Sequence, residues 1–414
     1  MPELDKTPSG ERLHISIFGR RNSGKSSLIN ALTNQQVAIV SEVAGTTTDP
    51  VAKAMEILPL GPVVITDTAG IDDLGSDLGK LRVQSTLRVL EKTDLAVLVV
   101  DAEQGKDSWE DEIADLTSER QIPLIVVVNK TDLRSDVSGI REWAAKRKLS
   151  FIPVSATERT GIEELKREMM RVAPSTFAEP TIIGDLISAG DIVVLVVPID
   201  SAAPKGRLIL PQVMTLRDVL DHDAYAVVVK ESELAESLRS LARKPRIVVT
   251  DSQAFERVNA DTPPDVWMTG FSILMARYKG DLAELVAGAA AIGNLKPGDK
   301  VLIAEGCTHH RQKDDIGSVK IPRWLGRTIG GEPRFGYSSG KEFPPDLATY
   351  KLVVHCGGCM LNRREMLYRQ QVAREAGVPM INYGVLIAYV HGIMDRALEP
   401  FPDAKRVWEE RANS

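Results

Sequence analysis

Gly19-Arg-Arg-Asn-Ser-Gly-Lys-Ser-Ser27 decides the fold of the first third of this chain. The apolar run Ile15–Phe18 precedes it and predicts a buried strand, and Leu28–Leu32 follows it and predicts a helix. Glycine, lysine and serine at this spacing, between a strand and a helix, are typical of a phosphate-binding loop. Backbone N–H groups of such a loop turn inward around a phosphate, and the positive end of the helix dipole points at the same place.

The side chains of this loop have separate expected roles. Lys25 is expected to reach the β- and γ-phosphates of a nucleotide, and the Ser26 hydroxyl is expected to bind Mg²⁺. The residues expected to contact the nucleotide here are Asn22, Ser23, Gly24, Lys25, Ser26 and Ser27.

The composition is that of an ordinary globular protein with several domains. The chain has 414 residues, of which 43% are hydrophobic and 26% are charged, so sizeable cores are possible. Its net charge of −6 argues against a general nucleic-acid binder. Apolar runs stay short of the ~20 residues that span a bilayer, and the polar N-terminus has no hydrophobic signal segment. We therefore expect a cytoplasmic protein that binds neither nucleic acid nor a membrane.

Strand-like and helical stretches alternate through the first third. The expected strands, after the one that precedes the phosphate loop, are Val63–Thr66, Leu95–Val100, Leu124–Val128 and Phe151–Val154. This order predicts an α/β domain with a mostly parallel sheet, helices on both faces and the nucleotide at the carboxyl ends of the strands.

Further motifs follow the loop in the order that a guanine-nucleotide domain requires. Gly45–Asp49 contains Thr47, which can complete the Mg²⁺ shell when a γ-phosphate is present, and Asp67-Thr-Ala-Gly70 can hold Mg²⁺ through Asp67 and the γ-phosphate through the Gly70 N–H. Asp132 of Asn129-Lys130-Thr-Asp132 can accept two hydrogen bonds from guanine, a pair of donors that adenine lacks. Ser155 and Ala156, of Ser155-Ala-Thr157, support the base from the far side. These motifs together predict GTP binding, with Lys25, Thr47 and Gly70 as the catalytic residues.

This set of motifs resembles the GTPases of the Era and TrmE-like branch. Ile71 follows the Asp-Thr-Ala-Gly motif where Ras-like proteins have a glutamine that orients water. Isoleucine cannot polarise water, so we expect slow unaided hydrolysis. Asn22 occupies the position that helps to bind an activating K⁺ ion in TrmE-like GTPases, which implies K⁺ dependence; the alternative is a simple turn residue.

The middle of the chain carries no recognisable catalytic constellation. Ala173–Pro180 predicts a linker, and the expected strands Ile192–Val197, Ala226–Val229 and Ile247–Val249 alternate with the expected helices Met214–Leu220 and Leu234–Ala242. An α/β unit without chemistry is a candidate for oligomerisation by extension of its sheet across a two-fold axis. We expect a dimerisation domain over residues 180–263, after a GTP-binding domain over 1–174.

The chain has three cysteines, all in the last third, over which we expect a domain from 266 to 414. The apolar run Val301–Ala304 leads into Glu-Gly-Cys307-Thr-His309-His, and Tyr350–Val354 leads into His355-Cys356-Gly-Gly-Cys359. Because the ends of parallel strands converge, the three cysteines can meet. On the residues alone, a structural zinc site and a [4Fe–4S] cluster stand about level, ahead of redox thiols and of buried core cysteines.

The chain resembles the HydF family of [FeFe]-hydrogenase maturation GTPases. The resemblance rests on an N-terminal GTPase domain followed by Cys-x-His and, much later in the sequence, His-Cys-x-x-Cys. The resemblance covers nearly the whole chain. It implies a [4Fe–4S] cluster on Cys307, Cys356 and Cys359, with His309 and His355 as a possible fourth ligand or supporting donors. It also implies a scaffold or carrier for a diiron subcluster precursor, built with two radical-SAM maturases and passed to apo-[FeFe]-hydrogenase. The expected fold is α/β throughout: P-loop GTPase domain, dimerisation domain and cluster-binding domain.

Two other functions remain open on the sequence. One is a ribosome- or tRNA-linked GTPase with a zinc-binding tail, which the net charge disfavours. The other is a metal-dependent enzyme regulated by its GTPase domain. Near the cysteines, Arg311, Lys313, Arg363 and Arg364 could attract an anionic precursor, although a solvated helix face is the better expectation for most of them.

Overall fold

The computed structural model describes residues 7–33, 51–58, 60–68, 79–173, 181–199, 208–306, 315–340 and 343–412. The chain divides into two compact units, Met1–Glu179 and Pro180–Ser414. Both units consist of sheets covered by helices, which confirms the expected α/β fold class. In the described parts of the chain, no helix is both long and apolar enough to cross a membrane.

The first unit is built on a six-stranded sheet in its described residues. Its strands are β1 (Leu13–Phe18), β2 (Val51–Ile57), β3 (Gly61–Asp67), β4 (Leu95–Asp101), β5 (Leu124–Asn129) and β6 (Ser150–Pro153). Its helices are α1 (Lys25–Thr33), α2 (Gly79–Leu90), α3 (Ser108–Glu119), α4 (Ser138–Lys146) and α5 (Ile162–Val172). The strand order is β2-β3-β1-β4-β5-β6, with β2 antiparallel to β3 and the remaining pairs parallel.

This strand order places the nucleotide motifs at the carboxyl ends of strands in one sheet. Strand β1, which leads into the phosphate loop, lies between β3, which ends at Asp67, and β4. Strands β4 and β5 are buried over their whole lengths because helices cover both faces of a parallel sheet. The unbroken apolar runs of β4 and β5 therefore indicate strands in the interior of the sheet.

The second unit opens with a four-stranded parallel sheet, counted over described residues. Its strands are β7 (Ile192–Val196), β8 (Tyr225–Val229), β9 (Ile247–Thr250) and β10 (Trp267–Gly270). The helices that follow the first three strands are α6 (Leu210–Asp221), α7 (Leu234–Ser240) and α8 (Phe255–Asp261). The order is β10-β9-β7-β8, which leaves β8 at one edge. Because β10 pairs with β9, this sheet continues past residue 263, where the sequence predicts its domain to end.

A second parallel sheet in this unit carries the cysteine motifs. Its strands are β11 (Lys300–Glu305), β12 (Arg334–Ser339), β13 (Leu352–His355) and β14 (Met380–Asn382). Among the described residues they lie in the order β12-β11-β13-β14. The helices are α9 (Phe271–Lys279), α10 (Leu282–Ala287), α11 (Ile321–Ile329), α12 (Arg363–Glu375), α13 (Tyr383–Val390), α14 (Met394–Ala397) and α15 (Pro402–Ala412). One continuous apolar core runs through both sheets of the unit.

One predicted helix is interrupted. The sequence predicts Leu282–Ile292 as a single helix, whereas α10 ends at Ala287 and a 3₁₀ helix spans Gly288–Asn294. A Cβ at position 288 would clash with the backbone of Met380 in β14. The small residue thus lets the chain pack directly on the strand, and the tighter turn follows from that contact.

Candidate functional site

The phosphate loop has the backbone that its sequence predicts. Asn22 and Gly24 have φ angles of 62° and 90°, the left-handed region that asparagine and glycine tolerate best. Lys25 is buried, and its ammonium group donates to the carbonyl of Gly19 and, at 3.1 Å, to that of Arg20. The loop therefore turns back over its own lysine, which holds the ammonium group inside the loop.

Asn129 joins this loop to the motif at the end of β6. Its amide Nδ2 donates to the Ser23 carbonyl at 3.0 Å, and its Oδ1 accepts from the Ala156 N–H at 3.0 Å. The side chain is 2% exposed. One buried amide thus fixes the distance between the predicted phosphate loop and the predicted base-binding motif.

The remaining guanine-motif residues lie at the same edge. Asp132 is exposed in the turn after β5, where a carboxylate can meet a ligand. Lys130 pairs with the buried Asp101 carboxylate at 2.7 Å. Burial alone would raise the pKa of Asp101, but Lys130 together with the backbone N–H groups of Glu103 and Gln104 lowers it overall. Ser155 is buried, and its hydroxyl accepts from the Glu158 N–H at 3.1 Å. The pair Lys130–Asp101 ties the base-recognition turn to the end of β4.

Two of the expected Mg²⁺ residues face each other. The Ser26 hydroxyl donates to Asp67 Oδ2 at 3.4 Å, at the junction of α1 and β3. Hydroxyl and carboxylate oxygens are the ligands that Mg²⁺ prefers, so the donor set fits this ion. Thr47 and Gly70, the other residues expected around the γ-phosphate, lie outside the described residues, as does Ile71.

Arg20 is a structural residue of the loop that sequence reasoning did not single out. Its guanidinium donates to Glu110 Oε1 at 2.8 Å, to Asp107 Oδ2 at 3.0 Å and to the Gly105 carbonyl. Glu110 is fully buried, and burial raises the pKa of its carboxyl group. Because Asp107 and Glu110 also cap the N-terminus of α3, Arg20 anchors the phosphate loop to that helix. Asp107 and Glu110 are 87 and 90 residues away from Arg20 in the sequence, so no local sequence pattern predicts these contacts.

The cysteine motifs follow neighbouring strands, as the sequence predicts. Strands β11 and β13 are paired in parallel, and the Cys356 N–H donates to the Ala304 carbonyl at 2.9 Å. Cys356 Sγ accepts from the N–H of Gly306 at 3.1 Å and from that of Gly358 at 3.4 Å. Gly306 is the residue before Cys307, which lies outside the described residues together with His309, Arg311 and Lys313.

Backbone N–H groups aimed at a sulfur stabilise a thiolate more than a thiol. Cys356 and Cys359 are both partly exposed. The described residues contain no group of three or more His, Cys, Asp or Glu side chains that could hold a metal ion. The donor chemistry of Cys356 nonetheless fits a metal-bound thiolate, since hydrogen bonds to cysteine sulfur are a feature of iron–sulfur sites.

His355 is held by two partners. It is fully buried; its Nδ1 lies 2.8 Å from the Cys356 carbonyl oxygen and its Nε2 lies 3.0 Å from Nη1 of the buried Arg369. Burial, followed by the positive charge of Arg369, lowers the pKa of His355 to about 3. The imidazole is therefore neutral, with both nitrogens engaged.

A carboxylate and a phenol form a second pair near Cys356. The Tyr383 hydroxyl donates to Glu305 Oε1 at 3.1 Å, and both residues are buried. Burial, with the nearby Cys356 and Glu305, raises the pKa of Tyr383. Gly317 of the π-helix Ile316–Lys320 lies against this pair, because a Cβ there would clash with both side chains. Two buried hydrogen-bonded pairs, His355 with Arg369 and Glu305 with Tyr383, therefore lie near Cys356.

Models of known protein families match all three parts of the chain. The hydrogen maturase F dimerization domain matches residues 182–280, and the hydrogen maturase F tetramerization domain matches residues 283–400. The 50S ribosome-binding GTPase family matches residues 14–130. The chain belongs to the hydrogen maturase F (HydF) family.

Other GTPases are similar to part of this chain. The tRNA modification GTPase MnmE of Paraburkholderia xenovorans is 35% identical over 39% of the chain, and GTPase Der of Wolinella succinogenes is 35% identical over 41%. The chain covers only 35% and 37% of the lengths of these two relatives. Era of Aquifex aeolicus, a solved structure, is 21% identical and matches 59% of this chain and 97% of its own, with a TM-score of 0.33.

Arg363 is one of the cations that the sequence places near the cysteines, and the structure gives it a different role. Arg363 donates to the carbonyls of Tyr278 at 2.7 Å, Arg277 at 3.3 Å and Gly280 at 3.4 Å, at the C-terminal end of α9. Burial lowers its pKa. Its guanidinium therefore caps a helix instead of facing solvent beside Cys359.

Proposed function

We propose that this protein binds and hydrolyses GTP, carries a [4Fe–4S] cluster, and acts as scaffold or carrier of the diiron subcluster precursor for apo-[FeFe]-hydrogenase. The observation that carries the proposal is the thiolate environment of Cys356, which accepts N–H groups from both converging loops in a chain that also has a GTPase domain. Membership of the HydF family supports the same function.

Cys307, Cys356 and Cys359 would hold the cluster. Three thiolates satisfy three irons and leave one iron open to exchange, which is the chemistry that a carrier of a second metal fragment needs. Gly358, with a φ of 64°, shapes the turn between the two cysteines of the Cys-x-x-Cys motif. Two hydrogen-bonded pairs, His355 with Arg369 and Glu305 with Tyr383, would stabilise the protein near the thiolates.

GTP would bind at the carboxyl ends of β1, β3 and β5. Lys25 and the loop N–H groups hold the phosphates, Ser26 and Asp67 hold Mg²⁺, and Asp132 selects guanine. Hydrolysis is slow because Ile71 cannot orient water, and K⁺ held with the help of Asn22 speeds it by adding positive charge beside the phosphates. We infer that the nucleotide controls partner exchange and does not itself supply the metal chemistry.

The dimer would form through β8 in the middle of the chain. Tyr225 and Val228 of this edge strand are 59% and 45% exposed, and Val213 and Leu220 of the adjacent α6 are also exposed. An open edge beside an apolar surface is a ready pairing site for a second copy. The match to a dimerization domain model over residues 182–280 supports this interface.

The partners would be apo-[FeFe]-hydrogenase and the two radical-SAM maturases, in a cytoplasm that keeps the cysteines reduced. The decisive experiment purifies the full chain anaerobically and measures its absorption spectrum and its iron, sulfide and zinc content. We expect a broad charge-transfer absorbance and about four irons per chain. Stoichiometric zinc without iron would overturn the cluster assignment in favour of a GTPase with a zinc-binding tail.

Variants then test the separate parts. Cys→Ser at positions 307, 356 or 359 should abolish the cluster and the activation of apo-hydrogenase, while GTP turnover persists. Lys25→Ala should abolish GTP turnover while the cluster persists, because Lys25 acts on phosphate charge in a different unit of the chain. A cysteine variant that keeps a full cluster and still activates hydrogenase would contradict the ligand assignment.

A further inference from the structure

The tautomer of His355 follows from its partners. A guanidinium can only donate hydrogen bonds, so Nε2, which lies 3.0 Å from Arg369 Nη1, must be the acceptor. A neutral imidazole carries a single N–H, which is therefore on Nδ1 and donates to the Cys356 carbonyl at 2.8 Å. The lone pair that a metal would need is already used by Arg369.

Arg369 is itself fixed from several directions. It is 1% exposed on α12; its Nη2 donates to the Gly340 carbonyl at 2.7 Å and lies 3.3 Å from Glu365 Oε1. Its guanidinium also lies over the Phe343 ring, 5.6 Å from the centroid. The rigid fork of arginine thus joins α12, the end of β13 and the turn after β12, which a lysine could not span.

We propose that Arg369 is a positioning residue for the metal centre, which through His355 fixes the peptide of Cys356, and that His355 supports Cys356 without ligating the metal. This proposal rests on the cluster-binding function proposed above. With the Cys356 N–H bonded to Ala304 and its carbonyl to His355, both polar groups of the residue's backbone are held. The thiolate is then held in one direction, and the buried charge of Arg369 is linked to the Cys356 peptide through His355.

Arg369→Met removes the fork and the charge, Arg369→Lys keeps the charge only, and His355→Gln keeps an acceptor toward Arg369 but loses the Nδ1 donor. Arg374→Met is the matched control, because Arg374 lies on the same helix but is exposed and pairs with Glu284. The full-length reconstituted protein is reduced and examined by pulsed electron paramagnetic resonance for directly coordinated imidazole nitrogen. Its midpoint potential is measured by redox titration.

The wild-type cluster should show no coordinated imidazole nitrogen. Arg369→Met should lower the midpoint potential, because a nearby positive charge favours the reduced cluster, and Arg369→Lys should restore most of that shift. Arg374→Met should match the wild type. A coordinated nitrogen signal that His355→Gln abolishes would overturn the proposal, as would an unchanged potential in Arg369→Met.

The same relay is tested without metal by hydrogen exchange of the peptide that spans residues 353–361 in the metal-free full-length chain. Arg369→Met, Arg369→Lys and His355→Gln should each accelerate exchange at Cys356 to Gly358 by at least tenfold, with no change in Arg374→Met. Equal exchange in all variants would refute the positioning role. If the wild type binds no cluster at all, the proposed function fails, and this measurement still decides whether Arg369 and His355 hold Cys356.

Discussion

Asn129→Ala removes the amide that connects the two halves of the proposed nucleotide site. The wild-type side chain makes two hydrogen bonds of 3.0 Å each, to the Ser23 carbonyl and from the Ala156 N–H. Alanine can make neither bond, so a buried acceptor in the phosphate loop and a buried donor after β6 lose their partner together.

The magnitude follows from these two groups. A buried polar group that loses its partner costs roughly 1–3 kcal/mol, so the pair sets a range of about 2–6 kcal/mol. Water can enter the space left by the amide and satisfy part of this cost, which favours the lower end. If about 2–3 kcal/mol appears as the cost of ordering the loop around a nucleotide, affinity falls by about 30- to 150-fold.

The assay is equilibrium titration of the full chain with fluorescent GTP and GDP analogues in the presence of Mg²⁺. Both affinities should fall by similar factors, because the bridge positions the loop whether or not a γ-phosphate is present. Hydrogen exchange over residues 19–27 should rise in the same variant. Asp132→Ala is the control, since it removes the expected base contact but neither hydrogen bond of the bridge. Binding by Asn129→Ala within threefold of the wild type would refute the bridging role.

Three further predictions concern the base, the cation and the dimer. Asp132→Asn should weaken GTP binding by roughly 1.5–3 kcal/mol and improve binding of xanthosine triphosphate, whose C2 carbonyl can accept from the new amide; equal wild-type affinity for ATP and GTP would contradict the role of Asp132. GTP turnover should be faster in K⁺ than in Na⁺ at constant ionic strength, with identical rates excluding the role of Asn22. Val228→Asp should convert the proposed dimer to a monomer in sedimentation, because it places a charge on the edge strand. Leu133→Asp, at a 62% exposed site of the first unit, should leave the dimer intact.

The central strands could be predicted because burial on both faces leaves an unbroken apolar run. Strands β4 and β5 are buried at every position, and the sequence predicts both. The predictions omitted β2, β10, β12 and β14, each of which lies at the edge of its sheet. An edge strand has only one neighbouring strand, and one of its faces is often exposed to solvent, as in the half-exposed Arg334–Ser339. The sequence of such a strand therefore need not be apolar.

The contacts that fix the site were harder to predict than its motifs. The order of the guanine motifs and the strand ends before the two cysteine motifs predict where the candidate sites lie. Arg20 with Glu110 and Arg369 with His355 are instead contacts between separate elements, and any exposed arginine would look the same in the sequence. Only the fold distinguishes a buried guanidinium from a solvated one.

This distinction bears on how a metal fragment would approach the cysteines. A steering charge must face solvent, where its field reaches an incoming anion. Arg363 and Arg369 lie on α12, the helix that follows Cys359 in the sequence. Arg363 nevertheless donates to the carbonyls at the end of α9, and Arg369 donates to His355 and Gly340. Both cations are therefore engaged in hydrogen bonds that hold neighbouring elements together. Their removal should first disturb the geometry of the thiolates, and the rate of encounter with an anionic cargo should depend less on them than on cations that remain in water.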